Sequence, residues 1–138
     1  MSASPVVVDT NIVFAALLAR RSRLRERLLD HGEIEFQCPR FLFVELFKHK
    51  DRIQKATELT EEELLDFLHA LLERIGSWQA ESIPLGIWLE AHRLCRDTDE
   101  KDTPFVALAL HLDAPLWTDD EVRKHGLRTK GFDRFYTP

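Results

Sequence analysis

Two short apolar runs that each end in a carboxylate constrain the fold of this chain more than any other feature. The run 5–8 (Pro-Val-Val-Val) ends at Asp9, and the run 115–118 (Pro-Leu-Trp-Thr) ends at Asp119 and Asp120. Short runs of this composition predict buried β-strands. In parallel α/β sheets, ligands bind outside the carboxyl ends of the strands. The acids therefore mark the edge of the sheet where a site is expected.

Helical segments alternate with the predicted strands, and this alternation predicts an α/β domain with a parallel sheet. At 138 residues the chain has the length of one compact domain, and no linker divides it, so we predict a single domain over 1–138. The predicted helices are 10–19, 22–30, a segment after Pro39, 60–75, a segment after Pro84, and 105–112. The predicted strands are 5–8, 33–38 and 115–118, with further short strands at 77–83 and 131–136.

Composition excludes several classes of protein. The longest uncharged runs, 10–19 and 103–112, have ten residues each, whereas a membrane-spanning helix needs roughly twenty. The amino terminus lacks the basic region of a signal peptide. Cys38 and Cys95 are too few for a disulfide framework or a zinc site, and both are expected to be buried and reduced. We therefore predict a cytoplasmic protein without a membrane partner.

The acids that follow the strands also stand where helices begin, and so does Asp102 before Thr103 and Pro104. A helix amino terminus keeps a carboxylate ionised, and several carboxylates in one pocket need a counter-charge. Oxygen ligands of this kind suit Mg²⁺ or Mn²⁺. Each acid also has a structural interpretation: Asp102 and Asp120 as ordinary helix caps, and Glu45 as a partner of Lys48 or His49.

Four segments, in this order and spacing, resemble the motifs of the PIN domain, a ribonuclease fold that includes VapC-like toxins of toxin–antitoxin pairs. They are Val-Val-Val-Asp9-Thr-Asn11, Val-Glu45-Leu, Asp102-Thr-Pro-Phe-Val-Ala-Leu-Ala109, and Leu-Trp-Thr118-Asp-Asp120. The resemblance covers essentially the whole chain. It implies a three-layer α/β/α fold with a central, mainly parallel sheet of four to five strands.

The resemblance also implies an activity, metal-dependent endoribonucleolytic hydrolysis of RNA. The implied catalytic residues are Asp9, Glu45, Asp102 and Asp120, and the implied ligands of Mg²⁺ or Mn²⁺ are Asp9, Asp102 and Asp120. Asn11 and Thr118 would support these acids. Asp119 stands beside Asp120 and could share its role. Asp99 is a further acid, which either lies near the metal or belongs to a solvated loop. The implied partners are RNA, an antitoxin and a second copy of the chain, with apolar stripes at 41–47 and 64–75 as candidate interfaces.

Basic residues are concentrated in two segments of a chain whose net charge is −5. Residues 20–27 carry a net charge of +4 and residues 121–134 a net charge of +3. Arg123 and Lys124 follow Asp120 most closely, so we predict that they contact RNA phosphates and that their loss leaves metal affinity nearly unchanged. Segment 20–27 lies further from the acids and is better placed for an outlying part of the RNA or a partner protein. The alternative for each cluster is a solvated helix face.

Two other functions compete with the nuclease. An aspartyl-phosphate phosphatase would use Asp9 as its nucleophile, but that family has a second Asp two residues later, where this chain has Asn11. A catalytically silent PIN-like module would bind RNA or protein without cleaving, and its mark would be the loss of one or more acids. All four acidic positions are filled, which favours the nuclease.

Overall fold

A four-stranded, all-parallel sheet forms the middle layer of the fold in the computed structural model, which describes residues 4–30 and 32–138. The strand order is β3-β2-β1-β4. The strands are β1 (Ser4–Val8), β2 (Ile34–Pro39), β3 (Gly76–Trp78) and β4 (Leu116–Trp117). The predicted three-layer α/β fold with a parallel sheet is confirmed. The predicted strand at 131–136 is reduced to a single bridge between Phe135 and Leu116.

Eight α-helices surround this sheet within the described residues. They are α1 (Thr10–Ala16), α2 (Arg23–Leu29), α3 (Phe41–Lys48), α4 (Lys50–Ala56), α5 (Glu61–Arg74), α6 (Leu85–Cys95), α7 (Thr103–Leu112) and α8 (Glu121–Thr129). Single 3₁₀ turns occupy Ala80–Ser82 and Glu100–Asp102. The segment after Pro39 is two helices rather than one, because the backbone leaves the helical conformation at His49.

The core explains why β1 and α7 are almost entirely apolar. Val6 to Val8 of β1 are buried, and so are Phe105 to Ala109 of α7, which packs against β1 and β2. A helix and a strand that are covered on all sides have no need of a polar face. Cys38 and Cys95 are free and buried, and burial raises the pKa of each thiol to about 12. Among the described helices none is long and apolar enough to cross a membrane.

Most of the basic segment 20–27 is bound to the protein itself. Arg25 is buried and donates to the carbonyl oxygens of Ala16, Ala19 and Arg20 at 2.6 to 2.9 Å. These bonds satisfy the carbonyls at the end of α1, which explains why the helix ends at Ala16 and not at the predicted residue 19.

Two more arginines of the segment are also engaged. Arg20 pairs with Glu63 at 3.0 Å, and Arg27 donates to the Tyr136 hydroxyl at 2.8 Å. The segment therefore joins α1, α2, α5 and the carboxyl-terminal segment. Three of the five arginines thus make contacts within the protein; contact of the segment with an outlying part of the RNA or with a partner protein stays a prediction. Arg21 and Arg23 are exposed, as is Arg20 in its ion pair with Glu63.

The pairing of β1 with β4 positions the site. Val8 lies opposite Trp117, and the Asp9 backbone amide donates to the Trp117 carbonyl at 3.2 Å. Because the two strands are parallel neighbours, their carboxyl ends meet at one edge of the sheet. Asp9 and Thr118 therefore lie side by side although they are more than a hundred residues apart in the sequence.

Candidate active site

A cleft of about 470 Å³ opens at the carboxyl end of the sheet. Its polar wall contains four acids, of which Asp9 and Asp102 are buried, Glu45 is half-buried and Asp99 is exposed. Its apolar wall is formed by Phe14, Leu18, Ile53, Ala56 and Phe105. Three of the four acids predicted to be catalytic thus line one cleft, and their elements are distant in the sequence.

Asp9 is the most deeply buried of these acids, with 3% of its surface exposed. One carboxylate oxygen caps α1 by accepting from the Ile12 amide at 3.0 Å, and the other accepts from the Arg123 guanidinium. Burial raises the pKa of Asp9 above its ordinary value, against the opposing effects of hydrogen bonds from Thr118 and Ile12 and of the charge on Arg123. Loss of hydration destabilises the charged carboxylate by more than these partners stabilise it.

Asp102 approaches from a different element, just before α7. It occupies the cap position of α7, but its side chain makes no capping hydrogen bond and points to Arg123, whose Nε lies 2.6 Å from Asp102 Oδ2. Burial raises the pKa of Asp102 to about 6, and the negative charge of Asp99 adds to the rise, while Arg123 acts against it. A carboxyl group with this pKa changes its charge just below neutral pH.

Arg123 joins the two acids. Its guanidinium donates to Asp9 and Asp102 and also to the Thr118 hydroxyl at 3.3 Å, and only 12% of its side chain is exposed. It comes from the first turn of α8, whose cap Asp120 lies three residues beyond the end of β4. The structure therefore places Arg123 between the acids, whereas the sequence predicted a phosphate contact at the rim of the pocket.

Glu45 and Asp99 occupy the sides of the cleft. Glu45 accepts a hydrogen bond from the Thr10 hydroxyl at 3.1 Å, so its described partner is a residue of α1 and not Lys48 or His49. Asp99 accepts from the Lys101 amide at 3.0 Å as the cap of the 3₁₀ turn Glu100–Asp102. Asn11, predicted to support Asp9, is an exposed residue of the same cleft.

The acids after β4 are placed differently. Asp120 caps α8 through a bond from the Arg123 amide at 3.0 Å, and it is not among the residues that line the cleft. Asp119 is exposed, and its charge raises the pKa of Asp9. Thr118 is buried and accepts from the Asp120 amide at 3.3 Å. Asp120 therefore contacts the Arg123 backbone, and Asp119 influences the pKa of Asp9.

Two basic side chains and a histidine that line the cleft were not among the predicted RNA contacts. His49, Arg52 and Lys101 line the cleft, whereas Lys124 pairs with Glu121 at 3.4 Å and lies outside it. His49 and Arg52 follow Glu45 by four and seven residues. This spacing would place the side chains on one face of a continuous helix. Because the backbone leaves the helical conformation at His49, the spacing does not by itself predict their position in the cleft.

The arrangement of acids fits a magnesium-type ion. One guanidinium reaches both Asp9 and Asp102, so their carboxylates lie within reach of a common cation. Over residues 4–30 and 32–138 no group of three or more His, Cys, Asp or Glu residues is arranged to hold a metal ion. Mg²⁺ is usually bound through one or two carboxylates while it keeps several waters, so two buried acids suffice.

Comparison with known protein families agrees with this geometry. The model of the PIN domain family matches residues 7–137, which is nearly the whole chain and includes every acid described above. No curated protein matches the chain closely enough to count as a relative. The extent of the family match, together with the parallel sheet, shows that this chain belongs to the PIN domain family.

Proposed function

We propose that the protein is a metal-dependent endoribonuclease that hydrolyses RNA phosphodiester bonds in the cleft. PIN domains are typically nucleases that use divalent metals, and the sequence motifs carry all four acids of the family. The observation that most supports the proposal is that Asp9 and Asp102 both bind the Arg123 guanidinium at the carboxyl end of the sheet. Two buried carboxylates raise the free energy of folding unless a cation offsets their charge, so the pair indicates a functional site.

In this proposal the acids and two basic side chains have separate roles. Asp9 and Asp102 hold Mg²⁺ or Mn²⁺, with Asp120 as a further ligand and Asp119 as its alternative. When bound, the ion supplies a polarised water and neutralises charge on the phosphate. Glu45, oriented by the Thr10 hydroxyl, accepts the proton of the attacking water at its carboxylate. Arg52 and Lys101 bind the phosphates that flank the reacting one.

The decisive experiment measures cleavage of single-stranded RNA in Mn²⁺ by the parent protein and by Asp9→Asn and Asp102→Asn. We expect each variant to lose at least about 100-fold in rate, the scale on which removal of one charge-stabilising group slows an enzyme. The substitutions keep the size of the side chain, so a folded variant isolates the effect of charge.

Asp66→Asn is the matched control, because Asp66 is an exposed acid on α5 outside the cleft. It should cleave at the parental rate. Cleavage that is equal in all four proteins would identify a contaminating nuclease and contradict the proposal. Metal-independent binding of RNA without cleavage by the parent would favour a catalytically silent PIN module.

As part of the same proposal, the protein acts in the cytoplasm as the toxin of a toxin–antitoxin pair and forms a homodimer. Support for an interface comes from exposed apolar side chains on one helix: Phe41, Val44 and Phe47 of α3 are 42%, 58% and 63% exposed. Leu65 and Leu72 of α5 are also exposed and belong to the second predicted stripe. Sedimentation of the purified protein tests the dimer, and a small open reading frame next to the gene is the sign of an antitoxin.

A further inference from the structure

Arg123 is bound to the same carboxylates that the proposed metal ion needs. Its Nε contacts Asp102 Oδ2, and its Nη1 contacts Asp9 Oδ2 and Thr118 Oγ1. The contacting carboxylates of Asp9 and Asp102 are buried, with side chains 4% and 10% exposed. A divalent ion on these oxygens and a guanidinium in hydrogen-bonding distance of them would carry like charges a few ångströms apart. The two cations therefore exclude each other from this position.

We propose that Arg123 is a positioning residue that acts as an internal counter-ion: it holds Asp9 and Asp102 in place without metal, is displaced by the divalent ion, and then offers its guanidinium to an RNA phosphate. This inference rests on the proposed function, because it takes the metal and the RNA from it. It replaces the expectation that loss of Arg123 leaves metal affinity nearly unchanged.

The surroundings of Arg123 permit such a movement. Its side chain lines the cleft, so a rotation about its own bonds leads into open space and not into the core. Its backbone stays fixed, because the Arg123 amide donates to Asp120 at the start of α8. Planar guanidinium groups bind carboxylates and phosphates through the same donor geometry, so an anion of the substrate can replace the lost acids. Metal binding and phosphate binding are thereby coupled through one side chain.

The sign of the change in metal affinity separates this role from an ordinary structural role. Calorimetric titration with Mn²⁺, without RNA, compares the parent with Arg123→Met, which keeps much of the length and removes the charge. We expect Arg123→Met to bind Mn²⁺ at least about tenfold more tightly, because no cation has to be displaced. Without metal the same variant should melt at a lower temperature, since two buried acids lose their counter-ion.

Lys124→Met is the matched control, since the neighbouring Lys124 pairs with Glu121 and lies outside the cleft. It should leave Mn²⁺ affinity unchanged. If Arg123 merely supports the fold, its loss would loosen the acids and weaken Mn²⁺ binding. Unchanged or weaker Mn²⁺ binding by folded Arg123→Met would therefore overturn the inference.

A second measurement uses the parent protein and does not depend on the variant's stability. In nitrogen-15 spectra, the Arg123 Nε–H signal, assigned by its loss in Arg123→Lys, should be protected from exchange without metal. Saturation with Mg²⁺ should shift this signal and expose it to exchange with water. A signal that keeps its position and protection would overturn the inference. If the parent cleaves RNA in Mn²⁺ but these two tests fail, only the role of Arg123 is wrong; if it neither binds Mn²⁺ nor cleaves, the proposed function fails as well.

Discussion

At the scale of single residues, the ionisation of Asp102 makes the stability of the fold depend on pH. Its pKa is raised from 3.8 to about 6, chiefly because burial disfavours the charged carboxylate. A group whose pKa is higher in the folded than in the unfolded state stabilises the fold at low pH, where it is protonated in both states. That stabilisation is lost as the pH rises through about 6.

We therefore expect Asp102→Asn to become more stable relative to the metal-free parent between pH 4 and pH 7, by up to about 3 kcal/mol. The Asn side chain does not ionise, so the variant escapes the loss that the parent undergoes. Urea unfolding in EDTA at several pH values measures the difference. The variant must be compared with the parent because other carboxyls, such as Glu63 and Asp97, have lowered pKa values. Their contribution makes the stability of both proteins change with pH in the opposite direction. Parallel curves for the two proteins would contradict the prediction.

The capping acids show what sequence could and could not establish about the site. Asp120 was predicted as a functional acid or a helix cap, and Asp9 as a functional acid where a helix begins; the structure shows that each caps a helix. For Asp9 the two roles use different oxygens: one accepts from the Ile12 amide and the other from Arg123. Arg123 itself was recognised as a cation near Asp120. The direction of the Arg123 side chain could not be predicted, because it depends on how closely β1, α7 and α8 approach one another, which no local pattern encodes.

At the scale of helices and strands, Arg25 is the residue whose role sequence reasoning missed. Its guanidinium binds three carbonyl oxygens at the end of α1 and just after it, and lies 4.0 Å from the centre of the Phe67 ring on α5. A run of five arginines in eight residues looks like a surface for a polyanion, and only the tertiary structure distinguishes the buried member.

Arg25→Met should lower the free energy of unfolding by roughly 2 to 4 kcal/mol, because the carbonyls lose charged donors and the ring loses a cation. Arg23→Met is the control: Arg23 lies two residues earlier in the same run and is exposed, so its replacement should change stability by less than about 0.5 kcal/mol. Chemical denaturation followed by circular dichroism measures both. Equal effects of the two substitutions would show that the run is a uniform surface.

The strands and long helices were predicted well where pattern and composition agreed. The helix predicted over 60–75 forms as α5, and a capping box of Thr60 and Glu63 begins it. The apolar run 105–112 lies within α7, and the runs before Asp9 and Thr118 are β1 and β4. The predicted bounds were wrong at the early end of α1, where the Ala16 carbonyl is bound by Arg25, and at the break between α3 and α4 at His49.

At the scale of the whole molecule, the apolar core supplies the stability of the fold and the acidic cleft does not. The described core is continuous from β1 through α7 to α6 and contains none of the acids proposed to bind metal. In the metal-free protein the buried pair Asp9 and Asp102 already has a counter-charge in Arg123. The fold therefore needs no metal ion to offset a buried negative charge.

We accordingly expect EDTA to abolish RNA cleavage while the protein stays folded. A zinc-finger type of domain unfolds without its ion because the metal supplies the folding free energy; here apolar burial supplies it, since a chain of this length buries most of the surface that unfolding exposes. Far-ultraviolet circular dichroism should be the same with EDTA and with Mn²⁺, and added Mn²⁺ should raise the melting temperature only through binding to the folded state. Arg123→Met gives a stronger test of the counter-ion. Because this variant lacks the internal counter-ion, its melting temperature should rise more than that of the parent when Mn²⁺ is added. Loss of the helical signal of the parent in EDTA would show instead that metal binding is part of folding.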